Sequence, residues 1–93
     1  MDKTIYTREY AVLLGLLRSM REESGITQSD LAKKLGVTQS TYSKLERGER
    51  RLDMIQLRTI GNQIGISLID FVTALEKEIR KPLKAKKRRS RRK

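Results

Sequence analysis

Apolar residues recur along this chain at intervals of three and four, the spacing that gathers them on one side of an α-helix, and no stretch alternates convincingly as a strand would. The first such stretch runs from about Thr7 to Glu23, with Tyr10, Leu13, Leu14, Leu17 and Met20 on one face and Gly25 behind it as a left-handed cap. A second opens at Thr27, whose hydroxyl suits an N-cap while Asp30 favours the exposed amides, and it buries Leu31, Ala32 and Leu35. A third begins with Thr38 as N-cap and ends near Arg47, with Gly48 as its stop. Asp53 caps a fourth, to about Ile64, with Met54, Leu57, Ile60 and Ile64 inward and Gly65 behind it. Ser67 caps a fifth, to about Arg80, whose stripe is Leu68, Phe71, Val72, Leu75 and Ile79. The connections are about two to five residues long, as in a compact helical domain. The pattern predicts an all-α fold.

The second and third helices form the most specific segment. They are short, joined by a tight glycine turn, and the third carries small polar side chains outward. Two helices that cross steeply need a small residue where their backbones approach, and Ala32 stands there. The turn needs a residue that tolerates positive φ, which Gly36 supplies. Leu31, Leu35, Val37, Tyr42 and Leu45 are placed to lock the pair onto the remaining helices. This is the geometry that sets one helix into the major groove of DNA.

Composition narrows the classes without naming one. The 93 residues allow one domain, and 37% hydrophobic residues support a modest core. There is no cysteine, which excludes disulfides and thiolate metal sites and fits a reducing cytoplasm. There is no histidine, so the usual general base and commonest metal ligand are absent, and no cofactor is expected. Ser40 and Ser43 have no histidine to activate them, and no glycine-rich phosphate loop follows a strand, which excludes the familiar enzyme designs. The longest apolar run, from Ala11 to Leu17, is far short of the roughly 20 residues of a membrane span. A cytoplasmic location with no membrane contact is the expectation.

Charge is divided unevenly. The net charge is +11, yet residues 80–93, RKPLKAKKRRSRRK, hold ten basic residues and no acid, which leaves 12 basic and 11 acidic residues in 1–79. The high pI of about 10.5 therefore belongs to a tail, and the folded part is close to neutral. Charge alone does not place a polyanion on the globular part. Periodicity stops near Arg80, Pro82 breaks any helix, and the like-charge block beyond is expected to be disordered. The expected division is a domain over 1–80 and a basic tail over 81–93. The tail reads as a second, sequence-independent DNA contact, as a binder of RNA or another acidic partner, or as a solubilising extension.

At this point a resemblance is visible. The segment resembles the helix-turn-helix of the lambda-repressor and Cro-like (XRE) family of bacterial and phage regulators. The likeness extends from about Leu13 to Phe71 and includes Arg21 and Gly25, the runs GITQSDLA and KLGVTQSTYSKLERG, and IGIS downstream. It implies a compact five-helix, lambda-repressor-like DNA-binding domain whose motif spans residues 28–47. It also implies roles. Gln39, Ser40, Ser43 and Lys44 would meet base edges, Gln39 foremost, because a carboxamide can donate and accept against adenine N6 and N7. Gln28, Thr38, Thr41, Arg47, Arg50 and Arg51 would contact the DNA backbone, and Arg21 with Glu46 would form a structural ion pair. Read without the resemblance, the same polar residues are a solvated helix face. Two positions depart from the family pattern: Tyr42 stands where an aliphatic residue is usual, and Leu52 where a proline is common. A buried tyrosine hydroxyl needs a partner.

Family members usually bind two half-sites of double-stranded DNA as symmetric dimers. The fifth helix carries more apolar residues than one stripe needs, since Ile66 and Ile69 add to the set that ends at Ile79. The surplus reads equally as a dimer seam or as closure of the core, and the same region could instead hold a protein partner such as a toxin. Three functions share these features: a repressor acting at an operator, an antitoxin or restriction–modification controller, and a non-specific DNA binder led by the tail.

Overall fold

The computed structural model describes residues 7–81. Five helices occupy it in order: α1 Arg8–Glu23, α2 Gln28–Leu35, α3 Gln39–Glu46, α4 Met54–Ile64 and α5 Leu68–Arg80. No strand occurs among the described residues. The basic tail beyond Lys81 lies outside them.

Each helix begins on a polar side chain that satisfies an exposed amide. Thr7, Thr27, Thr38, Asp53 and Ser67 each accept a hydrogen bond from the backbone N–H three residues on, with extended backbone at the cap itself. At α4 the cap is reciprocal, because Gln56 Oε1 accepts from the Asp53 amide at 2.9 Å. Thr7 is thus the cap of α1, and Ser24 ends that helix with Gly25 one residue further on.

The core is built from Leu17, Leu31, Ala32, Tyr42, Leu45, Leu57, Ile60, Ile64 and Phe71, all buried. Every helix contributes to it. Burying one such large side chain contributes about 1.5–3 kcal/mol before the entropy of ordering is subtracted. α3 packs on α2 and α1, α4 on α2 and α5, and α5 closes against α1. Where α4 turns into α5 the chain passes close to itself: the Ile66 amide donates to the Gly61 carbonyl at 2.8 Å, and Gly61 has no room for a side chain.

Three expected core positions are corrected. Met54 is 67% exposed, Val72 41% and Val37 40%. Met54 occupies the first position of α4 and, with Val72, borders an open groove with Leu13, Leu52, Leu68 and Leu75 rather than entering the core. Val37 borders a second open groove with Leu35, Leu45 and Ile55.

Candidate nucleic-acid interface

The interface is assembled from the α2–α3 pair. Ala32 is 1% exposed where the two helices approach. Gly36 takes φ 76° at the end of α2, and its amide bonds back to Lys33 and Ala32 carbonyls while the Val37 amide donates to Ala32 at 3.0 Å. The reversal is complete within two residues, and Thr38 starts α3 at once. Its Oγ1 accepts from the Thr41 amide at 3.1 Å and donates to Thr41 Oγ1 at 3.0 Å. Tyr42 and Leu45 turn inward and anchor α3. Positions 39, 40, 43 and 44 therefore fall on the opposite side of a 3.6-residue helix, and Gln39, Ser40 and Lys44 are exposed while Ser43 is half-buried.

Beneath that stripe lies a buried polar cluster. Arg21 of α1 donates from Nε to Glu46 Oε2 at 2.6 Å and from Nη2 to Oε1 at 3.3 Å, and its Nη1 donates to the Ile26 carbonyl at 2.8 Å. The two side chains are 8% and 3% exposed. Tyr42 donates its hydroxyl to Glu46 Oε2 at 2.6 Å, which supplies the partner its buried position demands. Gln28 completes the set, with Nε2 donating to Glu46 Oε1 at 2.8 Å. One carboxylate thus holds α1, the start of α2 and the end of α3 together.

The electrostatics follow from this geometry. Burial on its own pushes the Glu46 carboxyl upward, but hydrogen bonds from Arg21, Tyr42 and Gln28 outweigh it and hold the group below its ordinary value. Burial, then the hydrogen bond to Glu46, push the Tyr42 phenol far up, so it stays a neutral donor. The Glu46 hydrogen bond raises Arg21. The cluster is charged, satisfied and fixed.

The remaining basic residues gather at the exit of α3. Arg47 ends the helix, and Gly48, buried with φ 81°, swings the chain back so that the Glu49 amide reaches the Lys44 carbonyl at 2.9 Å. Arg47 then meets Glu49 fork to fork, at 2.8 Å from Nε and 3.2 Å from Nη2, while Nη1 donates to Ser43 Oγ at 2.5 Å. Arg50 follows, exposed. The Arg51 guanidinium lies 5.7 Å over the Tyr10 ring, whose hydroxyl accepts from the Leu52 amide at 2.9 Å. The sequence reading assigned Tyr10 to the core stripe; the structure makes it also the tie between α1 and the loop that carries Arg51. Glu49 had no place in that reading at all. The structure brings Gln39, Ser40, Ser43, Lys44 and Arg47 to one surface, whereas the Gln28 amide faces Glu46.

Among the described residues no helix is long and apolar enough to cross a membrane, and no group of acidic residues is arranged to hold a metal ion.

Known proteins share this architecture. A helix-turn-helix family model matches residues 17–71. An XRE-family-like protein from Pseudomonas syringae pv. tomato has a solved structure that superposes with a TM-score of 0.74 at 42% identity, covering 82% of this chain and 93% of that one. A helix-turn-helix-type transcriptional regulator of Methanothermobacter thermautotrophicus is 33% identical over 63 residues, 68% of this chain and 91% of the relative. The control protein C.MunI of a Mycoplasma species is 27% identical over 63 residues, covering 68% of this chain and 85% of that protein. Fold and relatives are those of DNA-binding regulators rather than of enzymes. The chain belongs to the XRE family of helix-turn-helix transcriptional regulators.

Proposed function

We propose that this regulator is a repressor that binds a palindromic operator as a dimer, with α3 of each subunit in the major groove. Gln39, Ser40, Ser43 and Lys44 read base edges, and Gln28, Thr38, Thr41, Arg47, Arg50 and Arg51 seat the domain on the phosphate backbone. The observation that carries this reading is the outward polar stripe of α3, held over a buried Arg21–Glu46–Tyr42–Gln28 cluster that ties α3 to α1 and α2. Gln28 reaches a phosphate with the part of its carboxamide not given to Glu46. Ile69, 77% exposed on α5, and the neighbouring Val72 support a dimer seam on that helix, whereas Ile66 packs into the core. The tail of residues 81–93 adds phosphate neutralisation without sequence information. The protein acts in the cytoplasm of a bacterium or phage host, at the nucleoid.

A second reading, a controller of a restriction–modification pair, is favoured by the likeness to a control protein. It uses the same interface and differs in which genes flank the operator.

Selection of bound duplexes from a random pool, with the full chain and with residues 81–93 deleted, tests the proposal. A discrete palindrome recovered by both forms is expected, with Gln39→Ala relaxing preference at one base pair per half-site by about 1–3 kcal/mol. Recovery of unrelated sequences by the full chain overturns it in favour of a non-specific DNA binder. Sedimentation with Ile69→Lys tests the seam: the variant runs as a monomer if α5 is the interface, and an unchanged sedimentation coefficient rejects it.

A further inference from the structure

Every nitrogen of the Arg47 guanidinium is engaged in the free protein. Nε and Nη2 meet the two oxygens of Glu49, and Nη1 meets Ser43 Oγ. The edge given to Glu49 is the edge that an arginine offers to a phosphate, because carboxylate and phosphate oxygens present the same paired acceptors to the guanidinium fork. Glu49 sits within a basic stretch of the chain, between Arg47 and Arg50, and the Lys44 charge also acts on it. The preceding carboxylate, Glu46, is turned inward to Arg21. Both side chains of the pair are about half exposed, at 52% and 51%, so DNA can reach Arg47 once Glu49 lets go.

We infer that Glu49 is an internal competitor for DNA phosphate: in the free protein its carboxylate occupies Arg47, and DNA must displace it before the recognition helix seats. The inference rests on Arg47 being a backbone contact, as proposed above. Arg47 Nη1 lies off the edge given to Glu49 and can keep its bond to Ser43 Oγ while Nε and Nη2 pass from Glu49 to phosphate. The affinity of α3 for DNA is held below what its basic residues alone would give, on any duplex whose phosphate takes Arg47.

The size is bounded by what exposed ion pairs are worth. Releasing Arg47 in advance, by Glu49→Gln, is expected to tighten binding about two- to five-fold at low salt, and less as salt screens the pair. Glu49→Ala, which removes the acceptor entirely, is expected to gain at least as much. Both effects should be similar on an unrelated duplex and on a duplex carrying the selected site, because the same pair is broken on either.

The test is a double-mutant cycle on the full chain, with labelled duplexes of both kinds titrated by wild type, Glu49→Gln, Arg47→Gln and the double variant, and thermal melts run alongside. Competition predicts that Arg47→Gln weakens binding and that the gain from Glu49→Gln is largely lost when Arg47 is already replaced. An equal gain in both backgrounds overturns the proposal, because Glu49 then acts only by repelling DNA. No gain, or a loss, also overturns it, because the carboxylate then merely orients Arg47 for its contact. If Arg47→Gln leaves affinity unchanged, the backbone role of Arg47 fails first and the competition falls with it, whereas weakening by Arg47→Gln without a gain from Glu49→Gln sinks the competition alone.

Discussion

Replacing Glu46 by alanine is the sharpest perturbation available, because one carboxylate accepts from Arg21 twice, from Tyr42 and from Gln28. Its removal leaves a guanidinium that is 8% exposed, a buried phenol and a half-buried carboxamide without their acceptor. Breaking one side of a buried pair costs about 3–5 kcal/mol, most of it from the charge left behind. Two features place this case at the lower end. Arg21 keeps its bond to the Ile26 carbonyl, and Glu22, half exposed, stands 3.9 Å away as a weak substitute. A loss of about 3 kcal/mol is expected, against a total of roughly 5–10 kcal/mol for a domain of this size. At about 4–8 °C per kcal/mol, the melting temperature should fall by roughly 12–24 °C.

Tyr42→Phe supplies the graded comparison. It removes one hydrogen bond to a charged acceptor and leaves Glu46 paired, so a loss of about 1.5 kcal/mol is expected. Replacing both ions with apolar residues, Arg21→Met with Glu46→Leu, should recover much of the Glu46→Ala loss, because no uncompensated charge is then left inside. Calorimetry of wild type and the three variants measures these differences, and duplex selection below the Glu46→Ala melting point should return the wild-type site. A Glu46→Ala melting temperature within about 3 °C of wild type would refute the reasoning. So would a Tyr42→Phe loss as large as that of Glu46→Ala.

The other expectations concern glycine and acid. A Cβ at Gly61 would stand 2.7 Å from the Ile66 carbonyl oxygen, a backbone atom that cannot swing away, whereas one at Gly15 meets nothing within 4 Å. Gly61→Ala should therefore lose about 1–3 kcal/mol, and Gly15→Ala should gain about 0.5–1 kcal/mol from helix propensity; denaturant midpoints decide, and equal signs would contradict the packing account. Glu46 is held below the ordinary carboxylate value of 4.5, so the folded state binds its proton less readily than the unfolded chain. Its contribution is fully present above that ordinary value and is lost as pH falls through the depressed one. Stability should drop below about pH 4.5 more steeply in wild type than in Glu46→Gln, and parallel curves would show that other carboxylates dominate.

The sequence was most legible where the physics is local. The N-cap residues Thr27, Thr38, Asp53 and Ser67 act on amides three residues away, so composition and spacing are enough to place them. Helical periodicity ordered the core equally well wherever another helix lies opposite, as at Leu17, Leu31, Ile60 and Phe71. It failed at Met54 and Val72 because a period defines a face and says nothing of what covers it. The partner of the Tyr42 hydroxyl was within reach of the same reasoning. Glu46 lies four residues on, where helix neighbours meet, and the demand for a partner was plain.

Arg47 and Glu49 show where such reasoning stops. Two residues apart in a helix, their side chains would point to different sides and never meet. They meet because α3 ends at Glu46 and Gly48 takes φ 81°, a turn that folds residue 49 back over the last carbonyls of the helix. Near-neutrality of residues 1–79 hides the same sorting, since a sum of charges does not say that Glu46 faces inward while Lys44, Arg47, Arg50 and Arg51 face out. The exit of α3 is thus locally basic on a domain with almost no net charge, and Glu49 is the counter-charge placed within it. Its effect on DNA affinity follows from the backbone at Gly48 as much as from the carboxylate. Gly48→Ala should accordingly weaken the Arg47–Glu49 pair without touching either side chain.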